Sequence, residues 1–173
     1  NSSDADKSRS CTNCSLVRGA CGSKRICMIS VMSSILPDGD SGALREGRLT
    51  ATADTSSAVS AASVVVVAVP LLVDNEGEPN FHSIDSATRA FAQGLRGRAL
   101  VIFETTLPIG TTSHRFVPLL EQHRDPDVSE RPDVVFSPER VSSGRVFSDL
   151  RKYPKLVGGV SDEAGERATR FYE

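Results

Sequence analysis

With 173 residues, the chain is long enough for one domain that buries a core of its own. A formal net charge of −2 argues against a nucleic-acid or anionic-membrane surface, and 5% aromatic residues with no tryptophan argue against a stacking platform for bases or sugars. The longest apolar run, residues 64–73, is about half a membrane span and contains a proline. The amino terminus is polar and lacks a hydrophobic signal core. We therefore expect a cytoplasmic protein with no nucleic-acid and no membrane partner.

All four cysteines lie in the first 27 residues, at Cys11, Cys14, Cys21 and Cys27. The first pair has the spacing of a zinc site, but five residues separate the second pair, and no histidine lies near either pair. A metal site and a disulfide both remain alternatives. We favour cysteines without either role, and predict no metal site.

The first 30 residues differ in pattern from the rest of the chain. They are polar and irregular, and the opening NSSDADKSRS is typical of a disordered start. We predict an irregular or foreign, frame-shifted stretch over residues 1–30, followed by a domain over residues 31–173.

The first elements of that domain follow in close order. Residues 43–54 indicate the end of a helix, a stop at Gly47 and a short strand, and residues 56–62 indicate a short helix. Residues 63–70, SVVVVAVP, form a continuous β-branched run of the kind found in strands covered on both faces. Residues 74–80 are predicted to be a turn-rich loop.

Helices and strands then alternate. A helix is predicted after Ser83, a candidate N-cap, because apolar residues repeat at helical spacing at Ile84, Ala87, Phe91 and Leu95. Residues 98–105 predict a second buried strand. The next helix is marked by Phe116, Val117, Leu119 and Leu120.

The last third of the chain continues the alternation. Residues 133–136 predict a third strand, residues 154–159 a weaker fourth, and Ser161 begins a helix. The inward-facing residues of that helix are Ala164, Ala168 and Phe171. This order predicts an α/β fold, with a mainly parallel sheet between layers of helices.

Ligands of such sheets bind beyond the carboxyl ends of the strands. The three clear strands end in Val69-Pro70, in residues 104–110 (ETTLPIG) and in residues 137–140 (SPER). We predict a ligand site at these ends. Plainer alternatives remain open: the prolines can end strands, the two threonines after Gly110 can cap a helix, and Glu139-Arg140 can be a solvated ion pair.

Four blocks in this order resemble the UDP-glucose/GDP-mannose dehydrogenase family: VVVVAVPLLVDNEGEPN, VIFETTLPIGTT, FSPERV and YPKLVGG. The resemblance runs from about Leu44 to Glu173 and implies a Rossmann-like NAD-binding domain. It also implies an enzyme that oxidises the primary alcohol of a nucleotide sugar to a carboxylate, in two NAD-dependent steps, through a cysteine thioester. The cysteine and a long central helix are expected beyond Glu173, and the complete enzyme is expected to be a homodimer.

The resemblance also implies roles for residues at the strand ends. Thr106 is expected to help place a water molecule, and Glu139 to act as general base on the water that hydrolyses the thioester. The cofactor-binding residues are expected to be Val69, Pro70, Thr105 and Thr106. The substrate-binding residues are expected to be Glu139, Arg140, Val141, Ser142 and Ser143. Glu104 is left outside the catalytic set, because it can equally be a structural anchor.

The chain departs from the family pattern in three places. Leu71-Leu72 stands where many members have Thr-Pro, so the resemblance implies that a hydroxyl contact to the cofactor is lost. Ser143 stands where the UDP-glucose enzymes have an acidic residue, and the PERV block is closer to members acting on other nucleotide sugars, including N-acetylated ones. UDP-glucose is therefore not the expected substrate. The first strand and its Gly-x-Gly-x-x-Gly loop are not recognisable. We therefore predict very weak NAD binding by this chain alone, measurable by calorimetric titration. A non-catalytic α/β binding module is the alternative function.

Overall fold

The computed structural model describes residues 14–21, 24–31, 46, 49–140 and 153–173. The strands are β1 (Cys14–Cys21), β2 (Lys24–Val31), β3 (Leu49–Thr52), β4 (Val64–Val67), β5 (Leu72–Val73), β6 (Pro79–Asn80), β7 (Leu100–Phe103), β8 (Asp133–Phe136) and β9 (Gly158–Gly159). The helices are α1 (Thr55–Ser60), α2 (His82–Ala92), α3 (Val117–His123) and α4 (Asp162–Tyr172), with a π-helical turn (Thr112–Phe116) leading into α3.

Seven strands form one sheet in the order β3-β1-β2-β4-β7-β8-β9. Strands β2, β4, β7 and β8 run parallel to one another, while β1, β3 and β9 are antiparallel to their neighbours. The mainly parallel α/β architecture predicted from the sequence is therefore confirmed. The loop predicted at residues 74–80 ends in β6, which pairs with β5 in a separate two-stranded sheet.

Strands β1 and β2 lie within the stretch that the sequence led us to expect as irregular. They pair with each other along eight residues each, and β2 lies beside β4 in parallel. Cys27 and Ile29 of β2 are fully buried, so the short run Ile26–Ile29 supplies a strand where we expected the first strand to be missing. The origin of residues 1–30, and a domain boundary after residue 30, stay predictions.

The two faces of the sheet are covered by different helices. All four residues of β4 and all four of β7 are buried, as their continuous apolar runs predict. One face, with Val65 and Phe103, packs in a cluster with residues of α1, α2 and α3, including Phe91 and Leu120. The other face packs against α4 through Ala164 and Ala168. The result is a three-layer arrangement with the sheet in the middle.

The helix ends follow capping rules in two cases and depart from our prediction in a third. The side chain of Asp54 accepts from Ser57 N–H at the start of α1, and that of Ser161 accepts from Ala164 N–H at the start of α4. Ser83 is not an N-cap, because α2 begins at His82. The N-cap position is Phe81, whose side chain makes no capping bond, and the Oδ1 of Asn80 before it accepts from His82 N–H at 3.0 Å.

The described residues bear on two alternatives raised by the sequence, a membrane span and a metal site. Within the described ranges, no helix has the length and apolar character needed to cross a membrane. The same residues hold no group of three or more histidine, cysteine or acidic side chains placed to bind a metal ion. Cys27 is buried in the core, while Cys11 and the side chains of Cys14 and Cys21 lie outside the described part.

Candidate functional site at the carboxyl ends of the strands

The register of the three central strands places their last residues in one row. Val67 of β4 is paired with Phe103 of β7, and Phe103 is paired with Phe136 of β8. The residues that follow each strand, 68–70, 104–106 and 137–139, therefore lie side by side. We call this row the carboxyl edge. It brings together the three strand ends that the sequence singled out.

Backbone hydrogen bonds continue beyond the strands and fix the edge. Glu104 N–H donates to the carbonyl of Val67, and Ser137 N–H donates to the carbonyl of Phe103, both at 2.9 Å. Glu139 N–H then donates to the carbonyl of Glu104 at 3.0 Å. These bonds hold the backbones of Glu104 and Glu139 against each other across the β7–β8 boundary.

The two threonines of the edge have different surroundings. The hydroxyl of Thr105 donates to the carbonyl of Val69 at 2.6 Å, which ties the end of β7 to the segment before Pro70. Thr106 is exposed, so its side chain faces solvent. The arrangement therefore leaves Thr106 accessible to a ligand, while Thr105 joins two strand ends.

Glu139 is held from two sides but remains accessible. Its Oε1 accepts from Arg140 N–H at 2.7 Å, and its Oε2 lies 3.7 Å from Lys155 Nζ. Even so, 43% of its side chain is exposed. The guanidinium of Arg140 lies 5.9 Å from the ring centroid of Tyr153, on the exposed side of the edge. A carboxylate so placed can accept a proton from a molecule arriving from solvent.

A second carboxylate lies beside Glu139 with its own partners. Oε1 of Glu104 is 3.1 Å from Lys155 Nζ and accepts from the Tyr172 hydroxyl at 2.7 Å. Lys155 Nζ also lies 5.1 Å from the centre of the Tyr172 ring. Glu104 is therefore an anchor for two other side chains, in line with the structural role left open for it.

The phenol of Tyr172 stays protonated to a higher pH than that of an ordinary tyrosine. Burial raises the pKa of its phenol, because the charged tyrosinate is disfavoured away from water. The hydrogen bond to Glu104 raises the pKa further, since the phenol must donate to a group that is already negative. The phenol is thus a lasting donor to Glu104.

Sequence reasoning missed Lys155 and Tyr172. Each is far in sequence from the carboxylates it contacts, and neither lies on one of the three strands that define the edge. The signal available for Lys155 was its place in the YPKLVGG block, three residues before the first of two glycines that pair with β8. For Tyr172, the sequence shows only its place at the end of α4.

The segment after β7 is held in place by contacts of the π-helical turn with β7 and α2. The ring of Phe103 stacks on that of Phe116, with centroids 4.4 Å apart and planes 7° from parallel. Arg115 forms a fork with the buried carboxylate of Asp85, at 2.9 and 2.6 Å. Gly110 adopts a φ of +82°, which a side chain rarely tolerates, at the turn into the π-helical turn.

A cavity of about 450 Å³ lies between this turn and the β8–β9 edge, lined on the turn side by residues 107–110, 112 and 113. It is separate from Glu139 and none of the predicted catalytic side chains lines it. Three residues predicted to bind substrate, Val141, Ser142 and Ser143, lie outside the described part of the chain.

Comparison with known proteins identifies the relatives of this fold. Residues 28–173 match the model of the UDP-glucose/GDP-mannose dehydrogenase family, NAD binding domain. The chain belongs to this family. It also has the Rossmann-like fold of family members whose structures are solved.

Individual relatives act on nucleotide sugars, by the names they carry. The UDP-N-acetyl-D-mannosamine dehydrogenase of Escherichia coli (strain K12) is 34% identical over 114 residues, 62% of this chain and 27% of its own length. The NDP-N-acetyl-D-galactosaminuronic acid dehydrogenase of Ralstonia solanacearum is 32% identical over 137 residues, 76% of this chain and 31% of its own. The solved UDP-D-ManNAc dehydrogenase of Pyrococcus horikoshii aligns with a TM-score of 0.57 and 32% identity, over 64% of this chain and 26% of that one. The chain thus spans less than a third of the length of these relatives.

NAD is the cofactor of the matched domain, and the residues present fit only one end of it. The carboxyl edge offers an accessible threonine, and ligands of parallel α/β sheets bind beyond the carboxyl ends of the strands. The pyrophosphate of a dinucleotide is normally held on Gly-x-Gly-x-x-Gly at a helix N-terminus, and the sequence contains no such motif. The pyrophosphate end therefore does not fit.

Proposed function

We propose that this chain is the NAD-binding domain of a longer nucleotide-sugar dehydrogenase, which oxidises a sugar primary alcohol to a carboxylate in two steps through a cysteine thioester. The family match supports the domain assignment. The observation that carries the chemistry is the accessible carboxylate of Glu139, anchored at the carboxyl edge beside Thr106. The cysteine is proposed to lie beyond Glu173, outside this chain.

Glu139 is proposed as the general base of the hydrolytic step. A thioester is cleaved when water attacks its carbonyl carbon, and a carboxylate that accepts a proton from this water lowers the barrier. Arg140 N–H donates to Oε1 of Glu139 and Lys155 Nζ lies 3.7 Å from Oε2, so both oxygens have a neighbour before the water arrives. The exposed hydroxyl of Thr106 is proposed to hold the same water from the neighbouring strand.

The substrate is proposed to be a nucleotide sugar that carries an N-acetyl group. The names of three relatives at 32 to 34% identity refer to N-acetylated sugars, UDP-N-acetyl-D-mannosamine among them. The acidic residue of the UDP-glucose enzymes is replaced by Ser143. The proposed substrate-binding residues are Glu139, Arg140, Val141, Ser142 and Ser143, and the proposed cofactor-binding residues are Val69, Pro70, Thr105 and Thr106.

The test of this proposal is a turnover assay of the complete protein that contains this domain. We expect two NADH per molecule of UDP-N-acetyl-D-mannosamine, with a lower kcat/KM for UDP-glucose. Absence of NADH formation with either sugar, and with GDP-mannose, would contradict the proposal.

The missing glycine motif favours one second candidate, a non-catalytic α/β binding module that kept the fold and lost the cofactor. The same assay separates the two candidates, because a module binds without producing NADH. A homodimer of the complete enzyme is a further proposal, which sedimentation of the complete protein tests.

A further inference from the structure

Two carboxylates and one ammonium group meet where β7 and β8 end. Lys155 Nζ lies 3.1 Å from Oε1 of Glu104 and 3.7 Å from Oε2 of Glu139. The backbones of the two glutamates are joined by the 3.0 Å hydrogen bond from Glu139 N–H. Without the lysine, two like charges would face each other across one backbone hydrogen bond, and repulsion would favour a turn of one side chain away from the other.

The environment of Lys155 shows which carboxylate holds it. Its side chain is 24% exposed, and the closer partner, Glu104, is also the less exposed one, at 20% against 43% for Glu139. Glu104 is further fixed by the Tyr172 hydroxyl, and the Lys155 ammonium lies 5.1 Å from the Tyr172 ring. Lys155 is therefore anchored on the Glu104–Tyr172 side, and its Nζ lies within 3.7 Å of Oε2 of Glu139.

Each carboxylate oxygen of Glu139 has one neighbour that bears on the direction of the side chain. Oε1 accepts from Arg140 N–H, and Oε2 faces Lys155. A glutamate with this exposure would otherwise sample several rotamers. Removing the contact at Oε2 would leave a single bond, from Arg140 N–H, and a side chain of this exposure held by one bond is expected to exchange with rotamers in which that bond is broken.

We infer that Lys155 is a positioning residue for Glu139, and that Glu104 and Tyr172 form the anchor on which Lys155 rests. Its meaning for catalysis rests on the proposed function, in which Glu139 is the base. The alternative is a clamp that fastens Lys155 and α4 to the sheet without affecting the direction of Glu139.

The test compares Lys155→Met, Lys155→Arg and Glu139→Gln in the 173-residue chain by amide NMR. The Arg140 amide is the reporter, because an N–H that donates to a carboxylate is displaced downfield relative to one that donates to a neutral group. In Lys155→Met we expect this resonance to move upfield, toward its position in Glu139→Gln. Lys155→Arg should restore it, since an arginine supplies the same charge.

A matched control is Arg170→Met, which removes a cation 3.7 Å from Glu166 on α4, the same separation as between Lys155 and Glu139. It should leave the Arg140 amide in place. If the Arg140 amide resonance of Lys155→Met is unchanged, the positioning role is overturned, whatever the change in melting temperature. The same holds if the resonance moves equally in the control.

A second measurement connects the inference to catalysis. In the complete dehydrogenase, Lys155→Met should lower kcat roughly 10- to 100-fold, the cost of a misdirected group, while KM for the nucleotide sugar changes little. Lys155→Arg should recover most of the loss. A wild-type enzyme that forms no NADH contradicts the proposed function but leaves the amide result valid, whereas an active enzyme with normal kcat in Lys155→Met contradicts the inference.

Discussion

The two ends of β8 each carry an acidic residue held by cations, and they differ in how much freedom is left. At the amino end, Asp133 has an 8% exposed side chain and is bonded by Arg98 at 3.1 Å and by Arg167. At the carboxyl end, Glu139 is 43% exposed and meets its lysine at 3.7 Å.

The difference separates an anchoring carboxylate from an accessible one. Both oxygens of Asp133 are occupied by arginines from the loop before β7 and from α4, so the residue fastens three elements together. Arg98 also bonds Glu163 at 2.6 Å, which extends the network over the helix. Glu139 instead keeps room for a ligand. The same chemical group therefore stabilises at one end of the strand and is available for reaction at the other.

The largest expected effect comes from Glu139→Gln, which keeps the shape of the side chain and removes the base. In the complete enzyme, thioester hydrolysis should slow on the order of 10²–10⁴-fold, the usual contribution of a positioned general base. The first oxidation should suffer less, so a covalent acyl-enzyme should accumulate and be visible by mass spectrometry.

The control for that variant is Glu121→Gln, on α3 beside Arg124 and away from the carboxyl edge. It should turn over at the wild-type rate without an adduct. If Glu139→Gln behaves in the same way, Glu139 is not the base and the two ends of β8 are alike in function.

The second prediction concerns the two ion pairs of Asp133 at the amino end of β8. Asp133→Asn should lower the free energy of unfolding by about 2–3 kcal/mol, somewhat less than the cost of opening a fully buried pair, because both arginines are partly exposed. Urea unfolding measures this loss. Turnover per folded molecule should stay near the wild-type value, and a fall in turnover larger than the fall in folded protein would mean that the amino end also serves catalysis.

The third prediction concerns pH and Tyr172. Its pKa in the folded protein is raised above the ordinary value, which is about 10 in an unfolded chain. The stabilisation is therefore fully present below about pH 10 and is lost as the pH rises toward the folded pKa. Urea unfolding at increasing pH should show a decline above pH 10 that is shallower in Tyr172→Phe. Parallel declines in the two proteins would show that Tyr172 does not hold the carboxyl edge.

The smallest effect is expected for Glu163→Gln, in the network that joins Arg98 to Asp133 at the amino end of β8. The hydrogen bond from Arg98 lowers the pKa of the Glu163 carboxyl, but the side chain is 61% exposed and water screens the pair. Thermal unfolding should therefore be nearly unchanged at physiological salt. A loss comparable to that of Asp133→Asn would show that the network acts as one unit.

The strands and the carboxyl edge could be predicted because their signals are local. The continuous apolar runs of β4 and β7 and the exact bounds of β8 follow from residue type, and parallel strands must end on one edge. The sequence therefore placed Thr106 and Glu139 together, although the structure does not test their proposed roles.

The remaining features depend on contacts that have no local signal. Tyr172 and Glu104 are 68 residues apart, and their bond exists only because α4 packs across the sheet. Residues 154–159 were predicted to form a strand, but only Gly158 and Gly159 do so, and they run antiparallel to β8. Lys155 therefore lies outside the strand, and the sequence gave no reason to place it between two carboxylates. Strand β2 was missed because its apolar run is short and lies in a polar context.

The arrangement of aromatic residues makes the carboxyl edge optically distinct. The chain has two tyrosines and no tryptophan. Tyr153 lies beside Arg140, and Tyr172 donates to Glu104. Both tyrosines of the chain therefore lie at the carboxyl edge, one beside Arg140 and the other bonded to Glu104, so the tyrosine emission of the protein originates there. A phenol bonded to a carboxylate emits weakly, because the excited phenol passes its proton to the acceptor. A molecule that draws Glu104 away from Tyr172 should therefore raise the tyrosine emission, which would make that emission an unlabelled reporter of binding at the edge.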